Sequence, residues 1–473
     1  MIMPQNIISK LKRMGIVLGF ALAGHGAIAS ELVFPGAEGF GAGAVGWRQG
    51  ELRLVTTLED SGPGSLRDCA ENAGTPRICG FAVSGTIDLE GPIHVGSNIY
   101  IAGQTAPGDG VQLRITNGGH GPIILKNVSD VVIRHLKLRP GPSPEPSPTV
   151  DAITVENAQR VFLGNLSMAF ATDETFNIHV SGATASDITL ADSILAYSLD
   201  RSNHPEGRHS KGALICSDEG QGNRCGRITL LRNLFAHHRD RSPDVKATDI
   251  GPVEVINNVF YNSISQFGEF YDLLGNADIA YLGNLALAGK STIQKTPEAV
   301  QVFEWTDGAT VRLLASDNLA GVAKGCDRRN VQVLDRAAES ALVAPPGWPV
   351  SVTPMPASEV LNAVLARAGD RIQGRRTADA LDARVIKGVR NCRGKVINRV
   401  DQVGGWPVLA PADPAETRDS DNDGLPDLWE ETRAALDSAR ADDVWAIDPQ
   451  SGMSHVETWL ALSASDGTWA DVD

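Results

Sequence analysis

The sequence is poor in aromatic residues and in long apolar runs. Aromatic residues make up only 5% of its 473 residues, whereas 49 residues are glycine. A chain of this length exceeds one compact core, and so few aromatic side chains favour thin, stacked β-layers. Beyond the amino-terminal segment, no stretch approaches the roughly 18 uninterrupted apolar residues of a membrane-spanning helix. We therefore expect no membrane partner.

The chain has no excess of positive charge either. Its formal net charge is −15, which argues against nucleic acid as a partner and opposes the long-range attraction of an acidic polymer. Binding such a polymer therefore requires a local cationic device, such as a divalent metal ion with a few Lys and Arg side chains. We expect the protein to be a monomer.

The amino terminus is typical of a secretory signal peptide. Basic residues at 10–13 precede an apolar run at 15–23, and Ala-Ile-Ala follows at 27–29. We therefore expect residues 1–29 to be a signal peptide and the mature protein to be secreted, with an extracellular or periplasmic destination.

No two of the six cysteines have the Cys-X-X-Cys spacing that is typical of zinc sites. In an exported chain six cysteines suggest three disulfides, although the sequence leaves their connectivity open. Proximity favours the pairs Cys69–Cys79, Cys216–Cys225 and Cys326–Cys392. The first two would close loops of about ten residues and each contribute ~2.5–3 kcal/mol in the loop-entropy account.

One apolar pattern recurs at spacings of 30, 27, 40, 25 and 26 residues. Short apolar strands at such a period cannot each bury a face alone, so they must stack on copies of themselves. We predict an all-β fold, a right-handed parallel β-helix (solenoid). Paired helices are the main alternative, but the units lack a long 3.6-residue periodicity. The repeats are VVIRHLKL from Val131, VFLGNLSM from Val161, ITLADSIL from Ile188, ITLLRNLF from Ile228, VEVINNVF from Val253 and IAYLGNLA from Ile279.

Asparagine falls at the same offset in three successive repeats, as Asn233, Asn258 and Asn284. An inward-turning amide at this offset would hydrogen-bond the backbone of the neighbouring coil. Alternatively, Asn simply ends each strand at a turn. Both interpretations lead to the same architecture.

The pattern divides the chain into segments. We expect a β-helix catalytic domain over 30–300, then an irregular, partly helical flank over 301–410 with a helix near 357–369. A calcium loop with a short helical tail is expected over 411–473. The longest gap lies between the third and the fourth repeat and contains a polar insertion. Long loops on a rigid scaffold commonly carry function.

Four glycine-rich segments come before and among the first coils. They are FPGAEGFGA from Phe34, EDSGPGSLRDC from Glu59, VSGTIDL from Val83 and IAGQTAPGDG from Ile101. In this order they resemble the start of bacterial pectate lyases of the polysaccharide lyase 1 type, and the resemblance continues to about Asn262. It implies a calcium-dependent lyase that cleaves an acidic polysaccharide, pectate (polygalacturonate), by β-elimination.

Carboxylates near two consecutive strands predict a calcium site. Asp151 opens VDAITVENA, and Asp173 and Glu174 follow the next strand, so the two acidic segments are expected one stacking step apart, about 4.8 Å. Like charges at that spacing need a cation or raised pKa values, and oxygen ligands suit Ca²⁺. The resemblance implies that Asp151 and Asp173 bind the calcium ion, with Glu174 or Asn177 completing its shell. Solvated strand-end carboxylates are the alternative.

The segment FAHHRDRSPDVK resembles the family's Arg-X-Pro element and places Arg241 at the catalytic arginine. HSKG likewise places Lys211 at a lysine that contacts the substrate, a second catalytic candidate. Lys246 has the spacing of another substrate-binding residue, and His238 and Arg239 are further candidates for substrate contact. A solvated charge run is the alternative.

This chemistry requires cations. Removal of the C5 proton of a uronate builds negative charge on its carboxylate, and a cation at ~4 Å contributes on the order of 4 kcal/mol at an effective dielectric of about 20. Calcium and Lys211 can share that role. Arg241 acts as the base only when it is neutral, so we expect a cation-rich cleft and an alkaline optimum. His237 and His238 are alternative bases.

The sequence departs from the family pattern in three places. Asn177 stands where an acidic residue is usual, Gly164-Asn165 replaces a common Asp-His, and Asp244 stands where many relatives are basic. These departures keep two alternatives open. One is a β-helix hydrolase with paired carboxylates, and the other is a non-catalytic protein that binds uronate polymers.

The last motif, DSDNDGLPDLWE, predicts a second calcium site of EF-hand type. Gly424 stands at its position 6, and positions 1, 3, 5, 9 and 12 are Asp419, Asp421, Asp423, Asp427 and Glu430. Exported proteins use such loops mainly as structural clips, so we expect a role in stability. A flexible acidic linker is the alternative.

Overall fold

The computed structural model describes residues 32–71, 74–293, 298–324, 327–330 and 332–466. The predicted signal peptide and Cys326 lie outside the described residues. In the described part of the chain, no helix is long and apolar enough to cross a membrane.

Strands of successive coils form three stacked parallel sheets, and together these form the predicted parallel β-helix. Sheet 1 contains Glu51–Val55, Arg77–Phe81, Ile99–Ala102, Ser129–Arg134, Gln159–Gly164, Thr184–Ala191, Arg224–Leu231, Val253–Ile256, Ala277–Leu282 and Val311–Ser316. Sheet 2 contains Ile93–His94, Ile123–Lys126, Ile153–Glu156, Glu174–Ser181, Lys211–Glu219, Asp244–Lys246, Glu269–Tyr271 and Gln301–Phe303. Sheet 3 contains Gly85–Leu89, Val111–Ile115, Lys137–Leu138, Ser167–Ala169, Ile194–Ala196, Leu234–Ala236, Val259–Tyr261, Leu285–Ala288, Leu319–Lys324 and Asp327–Asn330, the last pairing antiparallel.

The α-helices lie in the first coil and in the carboxyl-terminal third of the described chain. The α-helices are Leu66–Glu71, Arg336–Ser340, Ala357–Arg367, Ala380–Arg390, Asp427–Glu430 and His455–Ala464, and the 3₁₀ helices are Phe40–Gly43, Gly103–Thr105 and Val400–Val403. The helix predicted near 357–369 is confirmed. It and the next helix bury their apolar faces against the outer side of sheet 3.

The predicted repeats are in register. The first residues of all six are Cα partners in sheet 1, running in order from Val131 to Ile279. Each repeat, however, spans two strands rather than one. ITLADSIL ends Thr184–Ala191 of sheet 1, turns at Asp192-Ser193, and begins Ile194–Ala196 of sheet 3.

Buried asparagines occupy this corner, which confirms the inward-turning interpretation. The Oδ1 atoms of Asn258 and Asn284 accept hydrogen bonds from the backbone N–H groups of Asn233 and Asn258, each at 2.9 Å. Asn318 continues the row by accepting from Asn284 N at 2.8 Å. The parallel ladders therefore run past residue 300, through a further unit that carries the same Asn offset.

The interior of the solenoid is filled by aliphatic rows from the three sheets. Two of the predicted disulfides, Cys69–Cys79 and Cys216–Cys225, are confirmed. The third would involve Cys326, which lies outside the described residues. The resulting rigid frame presents the outer face of sheet 2 as a continuous surface.

Candidate active site

A groove of about 420 Å³ lies on sheet 2. It is lined by Asp151, Asp173 and Asn177 together with residues of the two preceding coils. Three of the residues predicted from the sequence therefore meet at this groove. Successive coils add Lys211, then Arg241, to the same side of the solenoid.

The carboxylates of Asp151, Asp173 and Glu174 lie together, with one oxygen of each within 4.8 Å of the others. All three side chains are buried. Asp151 accepts hydrogen bonds from Glu174 N at 3.0 Å and from Thr154 Oγ1 at 2.7 Å. Burial raises the pKa of Asp151 well above its usual value, and the charge of Asp173 raises it further. The predicted proximity is confirmed, and the group fits a divalent cation, because such an ion would remove this repulsion.

Asn177 lies close enough to take part in this site. Its side chain hydrogen-bonds Asp151, which opposes the rise in the pKa of that carboxyl group. It also accepts a hydrogen bond from Ser217 Oγ at 3.0 Å. Asn177 is thus a neutral neighbour of the three carboxylates.

The polar insertion brings two buried histidines to Asp173, which the sequence analysis did not anticipate. His209 Nε2 lies 2.7 Å and His204 Nε2 lies 3.7 Å from Asp173 Oδ1. The two rings are stacked, with centroids 3.6 Å apart and planes at 13°. His204 Nδ1 accepts a hydrogen bond from Glu206 N, which places the proton of a neutral ring on Nε2, toward Asp173.

This stacking excludes joint coordination of one metal ion by the two rings. A metal ion lies in the plane of each imidazole that binds it, and two nearly parallel stacked rings whose centroids are 3.6 Å apart share no such point. The geometry instead fits hydrogen-bond donors that hold Asp173 in place, as outer ligands commonly do. Such donors leave Oδ2 of Asp173 for a cation.

Lys211 lies in the ladder between acidic residues. Its Cα pairs with Glu174 on one side and with Asp240 on the other. Its ammonium Nζ lies 2.8 Å from Asp240 Oδ1. The charge of Lys211 is therefore held one coil from the carboxylate group and close to Arg241.

The backbone of Arg241 is held in a fixed conformation. Its φ is 54°, in the left-handed region, and its carbonyl accepts a hydrogen bond from Ala213 N at 2.6 Å. A Cβ at Gly212 would lie 2.4 Å from that carbonyl oxygen, so the glycine of HSKG permits the close approach. The sequence thus joins the two motifs, HSKG and RSP, by a backbone contact.

The Arg241 side chain faces carboxylates. Its Nη1 donates a hydrogen bond to Glu174 Oε1, and its Nε lies 3.7 Å from Asp244 Oδ2. Asp244 is buried and stacks on Glu269 of the next coil. Burial raises the pKa of Asp244 and of Glu269, and the charge of Glu269 raises the pKa of Asp244 further. The side chains around Arg241 are therefore mainly acidic, and the expectation of a cation-rich cleft is wrong for the protein alone.

The remaining predicted substrate contacts differ in accessibility. Lys246 is half-buried on the outer face of sheet 2, one coil before Tyr271. Arg239 is bound to Asp200 through two hydrogen bonds. His238 is buried and contacts Ser198 Oγ and Leu195 O, so the structure does not bring it to the groove.

His237 is buried as well, stacked on Tyr197 with ring centroids 4.7 Å apart. Burial lowers the pKa of His237 to about 3 and that of His238 to about 4. Both rings are therefore buried as neutral groups and do not line the groove, which argues against either as the base.

The departure at Gly164-Asn165 lies elsewhere. Gly164 ends a strand of sheet 1, beside Arg134, whereas the groove lies on sheet 2. The departure therefore does not alter the side chains that line the candidate site. The departure at Asp244 does, because it adds a buried carboxylate beside Arg241.

Comparisons with known proteins point to one family. No protein-family model matches the chain. A probable pectate lyase C of Aspergillus terreus is 33% identical over 456 residues, covering 94% of this chain and 97% of that protein. A probable pectate lyase C of Emericella nidulans is 32% identical over 443 residues, covering 92% and 94%. Among solved structures, jun a 1, the major cedar pollen allergen, is 18% identical, covers 70% of this chain and 92% of its own, and has a TM-score of 0.49.

Proposed function

Because this chain belongs to the pectate lyase family, we propose that it cleaves polygalacturonate or a related uronate polymer by calcium-assisted β-elimination. Its motifs resemble bacterial members, whereas these relatives are fungal. One observation carries the proposal. The buried carboxylates of Asp151, Asp173 and Glu174 share one face of the solenoid with Lys211 and Arg241, on adjacent coils.

Asp151, Asp173 and Glu174 would hold the calcium ion, with Asn177 beside them. Bound there, calcium supplies positive charge to the uronate carboxylate and so makes the C5 proton more acidic. Lys211 contacts the same carboxylate from the next coil and shares this charge stabilisation. It must leave Asp240 at least in part to do so.

Arg241 takes the proton from C5. The C5–H electrons form the C4–C5 double bond, the C4–O bond breaks, and the departing glycosidic oxygen takes a proton from solvent water. Arg241 must be neutral for this step, yet it donates a hydrogen bond to Glu174. Calcium ligation by Glu174 would free the guanidinium from that partner, so metal binding and formation of the base are linked in this proposal.

The alternatives have less support. The hydrolase interpretation has Asp244 and Glu269 as its paired carboxylates, but the relatives that match nearly the whole chain are named probable pectate lyases. A purely binding protein would leave the fixed backbone of Arg241 and its contact with Glu174 without a role. The two confirmed disulfides fit an oxidising compartment, so we also propose that the protein is exported.

Ultraviolet absorbance tests this function, because elimination creates a conjugated double bond in the product. The protein is incubated with polygalacturonate at alkaline pH, once with calcium and once with excess chelator. We expect absorbance to rise only with calcium. Cleavage without new absorbance would indicate a hydrolase, and equilibrium binding without any cleavage over a day would indicate a binding protein.

A further inference from the structure

The carboxyl-terminal acidic loop contains a second group of converging carboxylates. Oxygens of Asp419, Asp421 and Asp423 lie within 4.8 Å of one another, and so do oxygens of Asp423, Glu430 and Asp442. Asp423 belongs to both sets, so five carboxylates surround one region. Asp442 stands outside the EF-hand pattern, and its backbone N–H donates to Asp423 Oδ2 at 3.0 Å.

Glu430 points to a missing cation. Its side chain is 1% exposed, and neither carboxylate oxygen has a hydrogen-bond partner among the described residues. Asp421 Oδ2 is also buried without such a partner. A buried carboxylate without a donor or counter-ion is costly, whereas an oxygen-bound cation would satisfy all five groups.

Asp427, predicted at position 9, is not brought to this group. Its carboxylate accepts hydrogen bonds from Ser420 N and Ser420 Oγ, each at 2.7 Å. It therefore holds the loop closed from outside. The structure thus exchanges one sequence-predicted ligand, Asp427, for Asp442.

The loop is packed on the first coil of the solenoid. A Cβ at Gly424 would lie 2.7 Å from Leu52 Cγ, and Trp445 Nε1 donates to Gly50 O at 2.8 Å. Leu425 is buried in the apolar cluster that contains Trp47. The strand Glu51–Val55 beside it is the edge of sheet 1, so the acidic loop helps to cover the end of the solenoid.

We propose that Asp419, Asp421, Asp423, Glu430 and Asp442 form a second divalent-cation site of the Ca²⁺ class, which fastens the carboxyl-terminal segment to the first coil. Its role is structural and independent of catalysis. Its ligand set contains Asp442 in place of the predicted Asp427. The sequence also did not predict that the site anchors the loop to the first coil.

Calcium titration of the full chain tests this site, with ion stoichiometry and melting temperature as readouts. We expect two calcium ions per wild-type chain and one in Asp442→Asn, whose melting temperature should respond less to calcium. Glu430→Gln is a second variant, and Asp427→Asn is the matched control that should keep both ions. An Asp442→Asn chain that still binds two ions, or loss of one ion in Asp427→Asn alone, would overturn the proposal. Asp151→Asn removes the other site and keeps the two readouts separate.

A different observation concerns three aromatic side chains on sheet 2. Tyr271, Phe303 and Trp305 contact one another, with ring centroids 4.8, 5.3 and 5.4 Å apart. Trp305 is 65% exposed. Lys246, Tyr271 and Phe303 are successive Cα partners, so this aromatic patch continues the row of Lys246 over the next two coils, each about 4.8 Å further along.

We infer that the aromatic patch binds a sugar ring of the polymer at a distance from the reacting bond, through stacking of its C–H face. This inference rests on the proposed function. The patch is continuous with the groove side of sheet 2, and an exposed apolar patch rimmed by polar side chains is typical of a binding surface. The other aromatic residues named above are buried or lie on other faces of the solenoid. A polymer bound along sheet 2 would therefore meet aromatic side chains at this patch, beside Lys246.

Equilibrium binding of long and short oligogalacturonates to an Arg241→Lys background tests the patch with turnover reduced at least ~10²-fold. Trp305→Ala should weaken binding of long oligomers by about two- to tenfold and leave the shortest ones unchanged. Trp348→Ala, whose indole lies beside Arg312 on sheet 1, is the control. An equal loss at all lengths, or none, would contradict the subsite. If the wild-type chain showed no lyase activity but Trp305→Ala still weakened binding of long oligomers, the proposed function would be refuted and the aromatic patch would stand.

Discussion

Arg241 donates a hydrogen bond to Glu174, a residue of the coil that carries the proposed calcium ligands. The proposed base and a proposed metal ligand are therefore in direct contact. Any cation that engages Glu174 competes with this contact.

Asp151→Asn should remove the activity that calcium supports. The substitution keeps the size of the side chain but deletes one of three converging charges, so calcium affinity should fall by at least the ~10–100-fold typical of changes around a metal site. Calcium should restore chelated wild type better than magnesium does, because the carboxylates do not impose octahedral geometry. Activity titrated against free calcium measures both effects. Asp88→Asn, at an exposed pair with Arg114, is the control, and full activity in excess chelator would refute the role of calcium.

Arg241→Lys should lower kcat by at least ~10²-fold while KM changes little, as expected for loss of a general base. Lysine keeps the charge but not the planar reach of the guanidinium. Lys211→Ala should affect kcat and KM together, because Lys211 contacts the carboxylate in the ground state and the transition state. Steady-state kinetics measures the split. Arg312→Lys, at an exposed pair with Asp278, should behave as wild type, and an unimpaired Arg241→Lys enzyme would make Arg241 a substrate clamp.

His209→Ala should weaken calcium binding by about 10–100-fold, because Asp173 loses its 2.7 Å donor. His209→Gln should recover much of the loss, since its amide nitrogen can replace Nε2 as a donor. Calcium affinity by titration calorimetry gives the comparison. A His209→Ala chain with wild-type affinity but reduced stability would show that the ring only packs.

Acid should destabilise the calcium-saturated protein. Burial lowers the pKa values of His135, His237 and His238 from 6.5 to about 4, 3 and 4. At these three histidines, between about pH 4 and 6.5, the unfolded chain therefore binds more protons than the folded chain, so each histidine lowers the free energy of unfolding by up to about 1.4 kcal/mol per pH unit as pH falls. The raised pKa values of Asp244 and Glu269 act in the opposite direction. Melting temperature against pH measures this trend. His94→Gln, at an exposed site, should leave the curve unchanged, and a melting temperature that rises below pH 6.5 would contradict the assignment.

The fold was largely predictable from the sequence because the spacing of the repeats determines the register of the strands. The first residues of the repeats are Cα partners. The row of asparagines hydrogen-bonds the backbone of neighbouring coils, as one of the two interpretations of these residues predicted. The corner inside each repeat contains polar residues, such as Asp192-Ser193, but so short an interruption does not distinguish a corner from a bulge within one strand. The repeat unit that begins at Leu313 was not predicted because it lies 34 residues after Ile279, beyond the spacing of the two preceding repeats. Asn318 nevertheless stands at the usual offset within it.

The site was predictable where neighbours in space are neighbours in coil order. Asp151 and Asp173 met as expected because the strands beside them pair directly. His209 and Asp442 were missed because each reaches its partners through chain folding that no periodicity encodes. His209 stands two residues before Lys211 in HSKG, which is the one local signal that would have indicated it.

Cleavage in oxygen-18-labelled water tests the central claim most directly. Elimination takes no oxygen from water, and each cut leaves one unsaturated end, whereas hydrolysis adds a labelled oxygen at every cut. Mass spectrometry of the oligomers made by the calcium-loaded wild-type chain from polygalacturonate distinguishes the two. The account predicts unlabelled, unsaturated products that disappear in Arg241→Lys. Labelled, saturated products would contradict it.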